Sequence, residues 1–268
     1  MFLSFVANKL IFLVKTKTLK YYSIYFQIMK QITTNDNSIT YHNEEYDETY
    51  HSTSGAIEEA QKKFVEACEI REFVGKKDNN GKFVHNSISI LDVCFGLGYN
   101  TAVAIDNILG INPDCKIIVV ALENDPTILN EINKLNPKIN SFPIIKQLIS
   151  KLASNNEYEV NLNNIKILLL LDDARETIKT LQNQEIKFNF CFLDPFSPKK
   201  CPELWTEEFF KDIFAVMADN SSSPENNSKL ATYSCARIVR ENLAKAGFTV
   251  KDGPIVGRRS PGTIGVKE

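Results

Sequence analysis

Acidic residues stand at the ends of three separate apolar runs: Glu123 after Lys116–Leu122, Asp173 after Ile165–Leu171, and Asp194 after Phe188–Leu193. A fourth run, Ile88–Val93, leads instead into the turn Phe95-Gly96-Leu97-Gly98-Tyr99-Asn100. Glycines at such a turn let the backbone approach a ligand closely, although a G-x-G is also the tight turn of many α/β folds. The third glycine of the dinucleotide fingerprint is missing, because Ala102 and Val103 occupy its region, and this disfavours a nicotinamide cofactor. Glu123 lies 25 residues beyond Gly98, where a carboxylate accepts hydrogen bonds from the ribose hydroxyls of a dinucleotide or of S-adenosylmethionine. Asp173 has two compatible roles. It is an N-cap for the helix beginning at Ala174, with Glu176 as reciprocal partner, and its place at a strand-to-helix turn also faces a ligand crevice, where it can accept from an adenine amino group. Asp194 is held by Pro195 and Pro198, which stiffen its turn and remove two backbone donors.

The elements that must position these residues follow from the alternation of short apolar, β-branched runs with stretches of helical period, the pattern of βαβ units around a parallel sheet. Seven strands are predicted: the four runs above, then Lys229–Ser234, Phe248–Lys251 and Thr263–Val266. Together they describe an α/β, Rossmann-like fold: a seven-stranded, mostly parallel sheet with helices on both faces. Helix ends are marked by Asp125-Pro126 at one start and Gly247 at one finish. Upstream, Ile57, Ala60, Phe64, Ala67 and Val74 give Ala56–Val74 an amphipathic helical period suited to covering the sheet, preceded by an extended polar segment, Ile39–Ser54. The stretches Lys76–Lys82, Ser154–Asn164 and Ala218–Ser228 read as solvated loops. The domain organisation expected is an extension over 1–28 that the fold does not need, an N-terminal segment with its cover helix over 29–87, and the Rossmann-like domain over 88–268.

Bulk properties narrow the classes of function. With 43% apolar and 24% charged residues, the chain is built like an ordinary globular protein, and its net charge of −2 argues against a strongly basic binder of nucleic acid. Six cysteines, none in a C-x-x-C pair, point to a reduced, cytoplasmic compartment and to core packing. Met1–Val14 is apolar, but Lys9 interrupts it and Lys15 ends it short of a membrane span, so neither a membrane helix nor a stable membrane association is expected. His42 and His85 lack metal-ligand partners in the sequence.

These residues resemble the methyltransferase domain of the tRNA wobble-uridine enzyme MnmC and its free-standing relatives. The resemblance runs from about Tyr41 to the end and rests on Tyr50-His51-Ser52 with Gly55-Ala56 and Glu59-Ala60, the turn Phe95–Asn100, Glu123-Asn124-Asp125-Pro126, and Asp173-Ala174-Arg175-Glu176. Its most specific part is Phe192-Leu193-Asp194-Pro195-Phe196-Ser197-Pro198-Lys199-Lys200, continuing into Pro202–Phe210. Leu230–Ser234 and Gly257-Arg258-Arg259 complete it. Asp172 stands where the family often has glycine, which leaves open whether Asp172 or Asp173 meets the adenine.

The resemblance implies a class I S-adenosylmethionine-dependent methyltransferase that acts, without a metal, on the exocyclic amine of 5-aminomethyl-(2-thio)uridine at the tRNA wobble position. It implies no flavin-dependent oxidative step in this polypeptide. Phe95, Gly96, Gly98, Asn100, Glu123, Asp173, Ala174 and Asp194 become the cofactor residues. Asp194 is the catalytic candidate, as proton acceptor or as anchor of the cofactor's amino group. On the substrate side, Tyr50, His51 and Trp205 are candidates for stacking on a splayed base. Arg258 and Arg259 are candidates for phosphate contact, within a carboxyl-terminal region, 229–268, that is locally basic. Two alternatives are an aminopropyltransferase of the spermidine-synthase type, which shares the fold and the ribose acid, and a catalytically inactive tRNA-binding module.

Overall fold

A computed structural model of the chain describes residues 29–155, 158–184, 186–219, 227–256 and 260–268. The expected extension over 1–28 and the pair Arg258 and Arg259 therefore lie outside the described residues, as does most of the polar run after Asp219.

The chain opens with three short strands, β1 (Lys30–Thr33), β2 (Ile39–Asn43) and β3 (Glu48–Thr49), which pair antiparallel in that order. Strands β2 and β3 lie within Ile39–Ser54, the segment expected only to be extended, and β1 precedes it. The cover helix is broken: α1 (Ala56–Glu59) passes into a π-helical stretch, Ala60–Glu66, and restarts as α2 (Ile70–Gly75) after Glu69, whose φ is 54°. A continuous Ala56–Val74 helix is thus corrected to three pieces.

The main sheet has eight strands rather than the expected seven. β4 (Ser87–Val93), β5 (Lys116–Glu123), β7 (Ile165–Leu171), β8 (Phe190–Leu193) and β9 (Ser228–Thr232) form its parallel centre, flanked by β6 (Glu159–Leu162), β10 (Thr249–Ile255) and β11 (Pro261–Lys267). Their order is β10-β11-β9-β8-β4-β5-β7-β6, with β11 antiparallel to its two neighbours and β6 antiparallel to β7. The additional strand β6 falls in a stretch read as loop. Only Val160 of its residues is deeply buried, so the strand offers a single inward side chain where a hydrophobic pattern needs two or three.

Helices α3 (Tyr99–Leu109), α4 (Pro126–Ile132) and α5 (Phe142–Asn155) pack with the cover helix on one face, while α6 (Ala174–Gln182), α7 (Glu207–Val216) and α8 (Arg237–Lys245) pack on the other. The central strands are buried on both sides, as continuous apolar runs such as Ile167–Leu171 require. Two expected helix starts are observed. The Asp125 carboxylate accepts from the Thr127 amide at 2.8 Å with Pro126 at the first helical position, and Asp173 accepts from the Arg175 amide at 2.8 Å. The reciprocal partner of Asp173 is not Glu176, which pairs with Lys179. The Asp173 amide donates instead to Asp172 Oδ1 at 2.9 Å.

Candidate active site

Parallel strands end along one edge, and at the reversal of strand order between β4 and β8 their carboxyl ends leave a crevice. A cavity of about 340 Å³ occupies it, walled by Gly96, Glu123, Asn124 and Asp194 from the strand ends, and by Tyr50, His51, Glu59 and Lys63 from the N-terminal segment. A smaller pocket of about 30 Å³ adjoins it through Cys94, Glu123, Asn124, Cys201 and Leu204 and reaches Asp172, Asp173 and Ala174. Asp194 and Glu123 thus line the first, and Glu123 and Asp173 the second.

The glycine turn serves two purposes. Gly96, with φ 53°, lines the cavity; a Cβ there would project toward the Tyr50 ring, 3.5 Å away. Gly98, with φ 77°, does not face the cavity. A Cβ on it would come within 2.8 Å of both Ile145 and Phe95, so its glycine is demanded by packing. Phe95 itself is buried beneath the turn.

Glu123 is buried at the end of β5. Its Oε2 accepts from the Gly96 amide at 2.7 Å, and its Oε1 accepts from the amides of Asn124 and Asp125, both at 2.9 Å. The carboxylate thus staples the glycine turn to the next strand end, and of its roughly four acceptor positions one is left for a ligand hydroxyl. Burial pushes its carboxyl up to about 7 despite these three donors.

Asp194 ends β8, its side chain only 11% exposed. Asn100, at the start of α3, donates from Nδ2 to Asp194 Oδ2 at 3.0 Å, while its own buried Oδ1 has no hydrogen-bond partner among the described residues. Asn100 therefore stands behind the cavity wall and orients Asp194. Burial is the main cause that pushes the Asp194 carboxyl up to about 7. His51 Nδ1 lies 4.0 Å from the same carboxylate oxygen, and burial pushes this imidazole below its ordinary value. Its Nε2 has no partner among the described residues. Beneath the site, Asp92 is fully buried with Thr101 on one oxygen at 2.6 Å, and burial pushes it up to about 8.

The N-terminal segment closes the crevice from above. The Tyr50 hydroxyl donates to Asp125 at 2.7 Å, Tyr46 stacks on Phe196 at 4.5 Å, and the Ser197 amide donates to Glu48 at 2.8 Å. Glu59 and Lys63 form a buried ion pair, and the Ser52 amide donates to Glu59 Oε2 at 2.8 Å. Burial opposes ionisation of Glu59, but Lys63 beside it and the Ser52 amide hold its carboxyl below the ordinary value.

Residue by residue, Gly96, Glu123, Asp194, Tyr50 and His51 meet in the main cavity, Asp173 and Ala174 line the adjoining pocket, and Phe95, Gly98 and Asn100 shape the wall from behind. Trp205 is corrected. It is 2% exposed, donates from its indole to the Phe196 carbonyl at 2.9 Å and packs edge-on against Phe210 and Tyr233, so it supports the Asp194 loop and presents no face to a base. The basic character of 229–268 is also reduced. Lys229 pairs with Glu69, Arg237 with Glu241 and Arg240 with Asp252, while Lys267 is buried against Asp219 and two carbonyls. The cavity also contains Cys94 and Lys63, which residue pattern does not single out, and Glu59, which the resemblance includes without assigning it a role. Cys94 reads as core in its apolar run, yet its φ of 65° turns it into the cavity wall; Glu59 and Lys63 read as the polar side of a helix. Among the described residues no cluster of His, Cys, Asp and Glu could hold a metal ion, and no helix is long and apolar enough to cross a membrane.

The sheet, the crevice and the acids at successive strand ends are those of a class I S-adenosylmethionine-dependent methyltransferase. Residues 138–268 match the model of an S-adenosyl-L-methionine-dependent methyltransferase family. The crystal structure of MnmC2 from Aquifex aeolicus is similar at 31% identity with a TM-score of 0.73, over 88% of this chain and 69% of that one. The chain belongs to the MnmC-like methyltransferase family. An uncharacterized protein of Methanocaldococcus jannaschii is 30% identical over 88% of this chain, and the bifunctional protein MnmC of tRNA 5-methylaminomethyl-2-thiouridine biosynthesis from Pseudomonas entomophila is 24% identical over 81% of it. The chain spans 59% and 32%, respectively, of the lengths of these two relatives.

Proposed function

We propose that this chain methylates the exocyclic primary amine of 5-aminomethyl-(2-thio)uridine at the wobble position of tRNA, in the cytoplasm. The observation that carries the reading is a nearly buried carboxylate, Asp194, oriented by Asn100 inside an acid-rich cavity at the strand ends. An alkylammonium must lose a proton before it can act as a nucleophile, and a carboxyl held near 7 can accept one at neutral pH. Glu48, Glu59, Glu123 and Asp194 against Lys63 make the cavity suited to cationic groups.

The residues present fit the cofactor. Gly96 leaves open the space a Cβ would fill, Glu123 retains an acceptor position for a ribose hydroxyl, and the pocket at Asp172, Asp173 and Ala174 accommodates an adenine edge. S-adenosylmethionine supplies, when bound, a methyl group already activated on a sulfonium. The protein's task is then to align the amine and take its proton, and positioning is the main source of rate. Tyr50 and His51 border the substrate side. Binding of the tRNA draws on Arg258 and Arg259.

The test is to incubate the protein with labelled S-adenosylmethionine and tRNA carrying 5-aminomethyl-2-thiouridine, then to analyse the nucleosides. Label in the methylaminomethyl nucleoside is the expected result. Label in no nucleoside would overturn the proposal, as would aminopropyl transfer in a parallel incubation with decarboxylated S-adenosylmethionine and putrescine.

A further inference from the structure

The cavity is built almost entirely for positive charge, with one exception. Among its described lining residues four carry carboxylates and one, Lys63, carries a cation. That lysine is not at the rim. Its side chain is 5% exposed, and its ammonium donates to Glu59 Oε1 and to no other partner among the described residues. An ammonium has three N–H donors, so two remain in a place where unpaired donors are costly. Beside them His51 Nε2 is also buried and unpartnered. The backbone is arranged to put the pair here: Glu59 and Lys63 straddle the point where α1 becomes the π-helical stretch Ala60–Glu66, and irregularities of this type concentrate at functional sites.

Resting on the placement of the cofactor argued above, we infer that Lys63, braced by Glu59, receives the carboxylate of the cofactor's amino-acid chain and thereby selects S-adenosylmethionine over its decarboxylated form. The adenosine end lies toward Asp173 and Glu123, so the amino-acid end points past Gly96 and Asp194 to the wall that Lys63 and His51 form. The intact cofactor carries two positive centres and one carboxylate, and the single cation in the wall is the complement of that single anion. A decarboxylated donor has no anion. It would leave Lys63 with two unsatisfied donors and set its own ammonium against them. The same feature separates methyl transfer from aminopropyl transfer, which uses the decarboxylated donor.

The experiment is calorimetry of the full chain with S-adenosylhomocysteine, its decarboxylated analogue and 5′-methylthioadenosine. Wild type should bind S-adenosylhomocysteine far more tightly than either ligand that lacks the carboxylate. In Lys63→Met the affinity for S-adenosylhomocysteine should fall roughly ten- to a hundredfold, the loss of charge-assisted hydrogen bonds, with 5′-methylthioadenosine unchanged. The double variant Glu59→Gln/Lys63→Met, which leaves no orphaned buried carboxylate, should show the same collapse of the ratio, and Lys63→Arg should restore part of it. Unchanged binding of S-adenosylhomocysteine to Lys63→Met, or an equal loss for 5′-methylthioadenosine in both Met variants, would overturn the inference. Failure of wild type to bind either S-adenosylhomocysteine or 5′-methylthioadenosine would instead overturn the placement of the cofactor.

Discussion

Replacing Asp194 by asparagine removes proton acceptance while keeping the side chain's shape and its hydrogen bond from Asn100. Asparagine is nearly isosteric, and its carbonyl can still accept from Asn100, so the loop from Asp194 to Pro198 keeps its support. What disappears is the capacity to take a proton. General-base catalysis contributes roughly 10²- to 10⁴-fold, or about 3–5 kcal/mol of barrier, and kcat for the amine substrate should fall by that amount. With the carboxyl pushed up to about 7, the deprotonated fraction is roughly a tenth at pH 6 and roughly nine tenths at pH 8, so the wild-type rate should show an acid limb between them. Asp194→Asn should lack that limb.

Stability should move the opposite way. A carboxyl whose folded value is raised favours the fold while protonated, below its ordinary range near 3.8, and that contribution is lost as pH rises through about 7. The gap between 3.8 and about 7, roughly three pH units at about 1.4 kcal/mol each, bounds the gain from Asp194→Asn at about 4 kcal/mol above pH 7, with little change near pH 4. The assays are single-turnover methylation from pH 5.5 to 9, calorimetry with S-adenosylhomocysteine, and thermal melts at pH 5 and 8. If Asp194→Asn bound S-adenosylhomocysteine a hundredfold more weakly yet methylated at the wild-type rate when saturated, Asp194 would be an anchor for the cofactor, and the proton-acceptor reasoning would fail.

Glu123→Ala should weaken cofactor affinity by roughly ten- to a hundredfold and also lower Tm, because the amides of Gly96, Asn124 and Asp125 lose their acceptor; unchanged affinity by calorimetry would remove Glu123 from the ligand site. Trp205→Phe should cost about 1–3 kcal/mol in denaturant unfolding by leaving the Phe196 carbonyl unpaired, with tRNA affinity per folded molecule unchanged; a selective loss of tRNA binding would restore the stacking role. Reversing the charge of both Arg258 and Arg259 should weaken tRNA binding and reduce its salt slope by about one unit for each phosphate no longer neutralised, while S-adenosylhomocysteine affinity stays the same. If the salt slope did not change, the RNA-binding face would have to be sought at Tyr50 and His51.

Segments whose own pattern states their burial are legible from the residues alone. Runs such as Ile117–Leu122 and Ile165–Leu171 are almost wholly apolar, so they fold as strands buried on both faces, and the acids that end them must lie on the crevice edge. Caps at Asp125 and Asp173 are legible for a related reason, since their partners are two residues away. Long-range packing decided the rest. Glu59 and Lys63, four residues apart on a polar helix side, look like a solvated ion pair until the segment around His51 and Ser52 folds over them and makes them a cavity wall. Trp205 looks like an aromatic free to stack until the carbonyl of Phe196, nine residues earlier, and the ring of Tyr233 enclose it. Gly98 resembles a ligand-facing glycine, yet Ile145 on a distant helix, together with Phe95, excludes a Cβ there. Periodicity reports which side of an element is apolar. It carries no information on which other element will cover the polar side, and at this site that covering turns surface charge into a cavity wall.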